Sequence, residues 1–104
     1  MVIDFQTPNF KADSKLLDFI SEKFDKLEKF HNHITNATVY LKVANVSDNQ
    51  NKLIEVKLNL PDTQLFMAMQ GQSFEAATDK VVDSLKEQIK RYKKRPEKVG
   101  LGFK

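Results

Sequence analysis

The sequence predicts a two-layer α+β domain with the element order β-α-β-β-β-α, in which a four-stranded mixed sheet carries both helices on one face. Two periodicities predict it. Several stretches alternate apolar and polar residues, as half-buried strands do, and two stretches place apolar residues at steps of three and four, as amphipathic helices do. The length agrees, because 104 residues is about the usual size of one domain.

The first two elements are a strand and a helix. Residues 2–7 alternate with Ile3 and Phe5 on one side, and Pro8 ends the strand. Asp13 is a candidate N-cap, because its carboxylate can accept a hydrogen bond from the first turn of a helix. One apolar stripe follows at helical spacing: Leu16, Phe19, Ile20, Phe24, Leu27 and Phe30. A helix is therefore predicted from Asp13 to the polar segment that begins at His31.

Three strands come next. Residues 36–46 alternate, with Ala37 to Val43 supplying the apolar face, and residues 54–60 alternate again after the polar segment 47–52. The sequence Pro61-Asp62-Thr63 is typical of a turn. Residues 64–70 form the fourth predicted strand, with three side chains towards the core (Leu65, Met67 and Met69) and Phe66 on the open face.

A long second helix is predicted from the repeat that starts at Phe74 and reaches Tyr92, about six turns. Pro96 is expected to end it, because proline cannot donate a backbone hydrogen bond. The domain is therefore expected to span residues 1–95, and residues 96–104, which contain two glycines, are expected to form a flexible C-terminal tail.

The connections set the predicted topology. The first strand, first helix and second strand form a right-handed crossover that makes these strands parallel. The two short connections that follow produce an antiparallel meander, and the second helix returns to the same face of the sheet.

Composition excludes several functions. The chain has no cysteine, which rules out disulfides, cysteine-ligated zinc, iron–sulfur clusters and a thiol nucleophile. His31 and His33 lack a third ligand with suitable spacing, and there is no glycine-rich phosphate loop or nucleophile–base set. We therefore expect no enzyme activity, metal or cofactor.

No apolar run approaches the roughly 20 residues of a membrane span, and a basic signal region is missing, so a cytoplasmic protein is expected.

Positive charge is concentrated near the C-terminus. Residues 80–104 carry nine bases and three acids, whereas residues 1–79 carry eight bases and eleven acids. On a helical wheel, the bases of the second helix lie away from the apolar stripe, interrupted by Asp83 and Glu87: Lys80, Lys86, Lys90, Arg91, Lys93 and Lys94. Such a ridge matches a row of phosphates and would bind RNA through its backbone and shape. The alternative is a solvated helix end whose cations offset the helix dipole.

The first helix offers a possible extension of this ridge. Lys23, Lys26 and Lys29 recur every three residues, beside Glu22, Asp25 and Glu28. They either extend the phosphate-binding surface or pair with these acids within the helix, and the sequence leaves both readings open.

Two segments carry a resemblance to a known family. Residues 70–85 and 88–93 (QGQSFEAATDKVVDSL and QIKRYK), together with residues 26–30 (KLEKF) and His33-Ile34, resemble the ribosome hibernation promoting factor family, also called ribosome-associated inhibitor A or the sigma-54 modulation protein family. The resemblance covers nearly the whole chain and implies the same fold. It implies a bacterial factor that binds the 30S small ribosomal subunit in stationary phase or stress. There it would lie in the mRNA and tRNA channel between head and body and inhibit translation.

The resemblance also implies partners and site residues. The partners would be 16S rRNA of the 30S subunit and the 70S ribosome, with the chain a monomer when off the ribosome. An RNA-facing role carries over by position to Lys90, Arg91, Lys93, Lys23 and Lys26, whereas Lys80, Lys86 and Lys94 are added from the helical wheel.

The chain departs from the family pattern in three places. Gln72-Ser73-Phe74 is a less acidic version of the segment before the paired alanines, and Ser84 and Glu87 stand where many members have a base. The chain also resembles short members without the C-terminal domain that joins two ribosomes. It would then need a separate dimerising factor for pairing, or would not pair ribosomes.

Two other functions fit the same residues. A general double-stranded RNA-binding protein that recognises duplex shape would also need a basic helix face, but it would bind a plain duplex as well as the 30S subunit. A protein-interaction module could instead use the open sheet face around Tyr40 and Phe66, and that function would survive loss of the bases on the second helix.

Overall fold

The computed structural model describes residues 1–30, 34–44 and 49–99, with side chains through Tyr92. Its elements occur in the predicted order: β1 (Val2–Gln6), α1 (Ser14–Phe30), β2 (Asn36–Val43), β3 (Lys52–Leu60), β4 (Thr63–Gly71) and α2 (Phe74–Val99). The predicted fold class is confirmed.

The four strands form one mixed sheet in the order β1-β2-β3-β4. β1 pairs in parallel with β2, with Ile3 opposite Ala37. β3 pairs antiparallel with β2 on one side and with β4 on the other, so that Val56 lies between Val39 and Met67. The predicted crossover and meander are both present, and β1 and β4 are the two edges of the sheet.

A single core fills the space between the sheet and both helices. Alternate strand residues and the helix stripes bury their side chains completely, among them Ile20, Phe24, Leu27, Val39, Leu41, Ile54, Val56, Leu58, Val81, Leu85 and Ile89. Both helices therefore cover the same face of the sheet. The opposite face is open, and there the Phe66 side chain is 59% exposed.

A side-chain hydrogen bond caps the N-terminus of each helix. The Asp13 carboxylate accepts a hydrogen bond from the Leu16 backbone N–H at 2.9 Å, which confirms the predicted N-cap of α1. The Ser73 hydroxyl oxygen accepts one from the Ala76 N–H at 3.0 Å at the beginning of α2. Each side chain satisfies a backbone donor that has no partner inside the helix.

The two helices lie side by side and run in the same direction. Phe10, before α1, stacks on Phe74 at the beginning of α2 with ring centroids 5.0 Å apart. Farther along, Lys23 Nζ of α1 lies 3.0 Å from an Asp79 carboxylate oxygen of α2. The C-terminal halves of α1 and α2 therefore lie at the same end of the domain.

α2 runs antiparallel to β4 and is anchored to the sheet at two points. Lys80 Nζ donates to the Gln70 carbonyl oxygen at 3.1 Å, near the end of β4. The Tyr92 hydroxyl donates to the Asp62 carboxylate, in the turn before β4. The helix backbone then continues past this second anchor to Val99.

The end of α2 corrects the prediction that Pro96 ends the helix. Pro96 lies inside α2, so residues 96–99 do not belong to a tail. A proline removes only its own N–H, so the residues after it can still donate to the carbonyl groups of the preceding turn. The rest of the predicted tail, residues 100–104, lies outside the described residues, as does the predicted end of β2 at residues 45–46.

In the part of the chain that the structure describes, neither helix is long and apolar enough to cross a membrane.

Candidate nucleic-acid interface

Positive charge is distributed unevenly along α2. Residues 74–85 contain three acids and one base, whereas residues 86–99 contain seven bases and two acids. The second half of α2 ends at the same end of the domain as α1, whose last turns carry Lys26 and Lys29. The parallel arrangement of the helices thus collects the bases at one end, here called the basic end: Lys26, Lys29 and the bases of residues 86–99.

Lys23 is held by contacts within the protein. Besides its ion pair with Asp79, its ammonium group lies 5.4 Å from the centroid of the Phe19 ring. Both members of the ion pair are partly exposed, so water screens their attraction. Lys23 can therefore exchange Asp79 for a phosphate at small cost, but Asp79 lowers the positive potential around it.

Lys80, the first base of the predicted ridge, is exposed and makes a contact within the protein. Its ammonium group donates to the carbonyl oxygen of Gln70, which lies near the end of the edge strand β4. The side chain therefore lies against the sheet. Along α2, Lys80 precedes Lys86, the first base of the basic end on this helix, by six residues. The hydrogen bond to Gln70 joins α2 to β4, and a contact of Lys80 with RNA stays a prediction.

Lys86, Lys90 and Arg91 lie within the basic end. Lys90 and Arg91 are exposed and Lys86 is half-buried. Lys90 Nζ is 3.6 Å from a Glu87 carboxylate oxygen within the same helix, a weak surface pair. Lys86 and Arg91 form no ion pair with any residue that the structure describes. These three side chains are therefore available to phosphates.

Three further residues are predicted to contact RNA: Lys26, Lys93 and Lys94. Lys26 is exposed on the last turns of α1, and its contact with RNA stays a prediction. Lys93 and Lys94 lie within the backbone of α2, and their side chains are outside those described.

Sequence reasoning missed a cleft at this end of the molecule. Thr63 and Leu65 of β4 and Gln88, Arg91 and Tyr92 of α2 line a cavity of about 170 Å³ that opens to solvent. Four of the five residues carry no charge, and Thr63 and Leu65 lie far in sequence from the three residues of α2. No local sequence pattern therefore pointed to them. The one available signal was a tyrosine in place of an aliphatic residue at the end of the apolar stripe.

Tyr92 has a perturbed ionisation. Its hydrogen bond to the Asp62 carboxylate raises the pKa of the phenol above its ordinary value of 10.0, and burial and the negative charge of Asp62 act in the same direction. The hydroxyl therefore stays protonated as a donor, which keeps the turn between β3 and β4 attached to α2.

A metal site has no support among the described residues, which contain no group of three or more potential ligands. His31 and His33, the pair considered from the sequence, lie outside the described residues.

Comparisons with known proteins decide the family. Residues 3–97 match the family described as Sigma 54 modulation protein / S30EA ribosomal protein. The chain belongs to this family. The predicted resemblance is therefore confirmed, over nearly the whole domain.

Two relatives illustrate how much of the chain is shared with other proteins. It is 27% identical over 93 residues to a ribosome hibernation promoting factor of Klebsiella oxytoca, covering 89% of this chain and 94% of that protein. It is 30% identical over 88 residues to a ribosome hibernation promotion factor of Deinococcus radiodurans, covering 84% of this chain but 46% of the relative. The chain thus spans about half the length of that second relative.

The fold agrees with a solved structure as well. A ribosomal subunit interface protein from Coxiella burnetii superimposes with a TM-score of 0.80, covering 91% of this chain and all of that one. The sequences are 15% identical, so this similarity establishes the fold alone.

Proposed function

We propose that this protein is a ribosome hibernation factor that binds the small ribosomal subunit through 16S rRNA. The basic end of α1 and α2 makes the contact, at the channel for mRNA and tRNA, and occupancy of this channel inhibits translation in stationary phase or stress. The observation that carries the proposal is the concentration of cations at one end of two parallel helices, in a member of this family whose relatives are ribosome hibernation factors.

The chemistry of the basic end fits a binding role. Lysine and arginine side chains on a rigid helix contact phosphates and orient a protein on RNA without reading base sequence. Selection of the ribosome then depends on the shape of the assembled subunit. A chain bound in this channel would inhibit translation by excluding mRNA and tRNA, and no covalent step is required.

The test is co-sedimentation with 30S subunits, 70S ribosomes and an RNA duplex at low and high salt. The informative variant replaces Lys86, Lys90 and Arg91 with alanine. A matched control replaces Lys11, Lys42 and Lys57 with alanine, which removes the same charge from the opposite end and the open sheet face. We expect saturable binding of the wild type to 30S and 70S particles, retained by the control and lost by the basic-end variant.

The salt dependence gives a second readout. Loss of three phosphate contacts should lower the slope of log affinity against log salt by about 2 to 3. Equal affinity for the duplex would instead identify a general double-stranded RNA-binding protein. Equal loss of binding in both triple variants would show that net charge alone matters, and would refute the assigned contact surface.

Inhibition is tested separately. Purified protein should reduce binding of initiator tRNA to 30S subunits in proportion to its own occupancy. Simultaneous binding of protein and tRNA at full occupancy would place the contact outside the channel.

A further inference from the structure

The cleft lies between β4 and α2. Its walls come from the first residues of β4 and from the side of α2 that faces them. The hydrogen bond from Tyr92 to Asp62 closes one end, because it joins the helix to the turn that precedes β4. The cleft is thus bounded by two elements that this hydrogen bond joins.

The lining combines three kinds of surface. Leu65 and the Tyr92 ring offer apolar area, Thr63 and Gln88 offer a hydroxyl and an amide, and Arg91 adds a cation. The five lining residues include no carboxylate, and the nearby Asp62 accepts the Tyr92 hydroxyl. A ligand for this cleft is expected to have a flat apolar ring, hydrogen-bonding edges and a negative charge, and a nucleotide combines all three.

Arg91 connects the cleft to the basic end. It lines the cleft, and it also belongs to the run of bases that includes Lys86 and Lys90. RNA held along this part of α2 therefore passes the mouth of the cleft. Only an unpaired nucleotide can turn its base inwards, because the bases of a duplex are stacked and paired inside the helix.

We propose that this cleft holds one unstacked nucleotide of single-stranded ribosomal RNA. Its base packs against Leu65 and the Tyr92 ring, its edge meets Gln88 and Thr63, and its phosphate lies at Arg91. This inference rests on the proposed function, because it names a particular contact within the ribosome-bound state. It adds a contact that is not purely electrostatic to a surface otherwise made of phosphate contacts.

Two glutamines provide a matched pair of variants. Gln88 lines the cleft, whereas Gln64 lies between the lining residues Thr63 and Leu65 but is exposed on the open face of the sheet. Gln88→Ala should therefore remove a cleft contact, and Gln64→Ala should make the same chemical change without touching the cleft.

The first experiment follows backbone amide signals by NMR in the isolated protein. Adenosine 5′-monophosphate and uridine 5′-monophosphate are the probes, with inorganic phosphate as the control. The nucleotides should shift residues 63–65 and 88–92, Gln88→Ala should weaken the effect, and phosphate should leave residues 63–65 unchanged. Nucleotide shifts identical to those of phosphate would overturn the proposal.

The second experiment measures affinity for 30S subunits. Gln88→Ala should weaken binding about threefold to tenfold, the effect of one lost neutral hydrogen bond, with an unchanged salt slope. Gln64→Ala should bind as the wild type does. If the wild type binds 30S subunits and both glutamine variants match it, the cleft inference fails alone. If the wild type does not bind 30S subunits, the proposed function and this inference both fail.

Discussion

Gly71 joins the end of β4 to the beginning of α2 at a close approach. A Cβ atom at this position would lie 3.0 Å from the Ala77 backbone nitrogen and 3.1 Å from the Ser73 carbonyl oxygen. These two atoms are hydrogen-bonded to each other in the first turn of α2. Neither atom can therefore move away from an added Cβ without disturbing this hydrogen bond. Gly71→Ala should therefore lower the free energy of unfolding by about 1 to 3 kcal/mol, the usual cost of overpacking.

Urea denaturation checks this value against Gln72→Ala, an exposed neighbour. If the two variants unfold at the same urea concentration, the close approach at Gly71 carries no cost and the packing described here is wrong.

Tyr92 predicts a pH dependence of stability. Its pKa is raised above 10.0 in the folded protein, chiefly by the hydrogen bond to Asp62. A raised pKa stabilises the fold fully below the unfolded value of about 10, and this contribution is lost as pH rises through the folded value. Tyr92→Phe should therefore be less stable than the wild type at about pH 8, and the difference should shrink above about pH 10.

Urea denaturation at both pH values measures this difference. In a Tyr40→Phe background Tyr92 is the only tyrosine, so ultraviolet titration follows its ionisation directly. An ordinary tyrosine pKa in that background would refute the hydrogen bond to Asp62.

Asp79 is predicted to weaken RNA binding. It neutralises Lys23 across the interface between the helices, so Asp79→Asn should raise affinity for 30S subunits a few-fold by releasing that cation. Because both groups are partly exposed, stability should change by less than about 1 kcal/mol. Asp83→Asn removes the same charge from α2 without releasing Lys23, and an equal gain in affinity from that control would show that Lys23 does not contact RNA.

The N-cap of α1 can be tested as a property of the whole helix. Asp13→Ala removes the acceptor for the Leu16 N–H and should cost about 1 kcal/mol of stability. Thermal unfolding measures the loss, with Asp25→Ala, an exposed site within the same helix, as the charge-matched control. An equal loss in the control would assign the effect to charge and not to capping.

An element was predictable where its apolar residues recur at one regular spacing. The alternation in β2, β3 and β4 and the stripes of α1 and α2 place each side chain as the structure does, because burial against one core imposes one period on each element. The end of α2 was not predictable from Pro96 alone, because a proline removes only its own N–H and the residues beyond it can still donate to the preceding turn.

Contacts between distant elements could not be predicted from the sequence. The helical wheel of α2 predicts which residues lie away from its apolar stripe, but it cannot show that Asp79 pairs with Lys23 or that Lys80 donates to Gln70. The cleft likewise requires β4 to lie antiparallel to α2, which brings Thr63 and Leu65 to Gln88 and Tyr92. Such pairings depend on the packing of separate elements, which no local pattern contains.

The molecule as a whole has two unlike faces and one strongly basic end. The open sheet face carries Phe66 among polar neighbours, while α2 carries acids towards its beginning and bases towards its end. The negative ends of both helix dipoles also lie near the basic end and offset part of its charge. Binding to RNA should therefore depend on this end and not on the sheet.

Site-specific photo-crosslinking tests this orientation most directly. A photoreactive amino acid is placed at Lys90, in the basic end, or at Phe66, on the open sheet face, and each protein is irradiated with 30S subunits. We expect position 90 to crosslink to 16S rRNA and position 66 not to. Crosslinks to 16S rRNA from position 66, with none from position 90, would contradict this orientation.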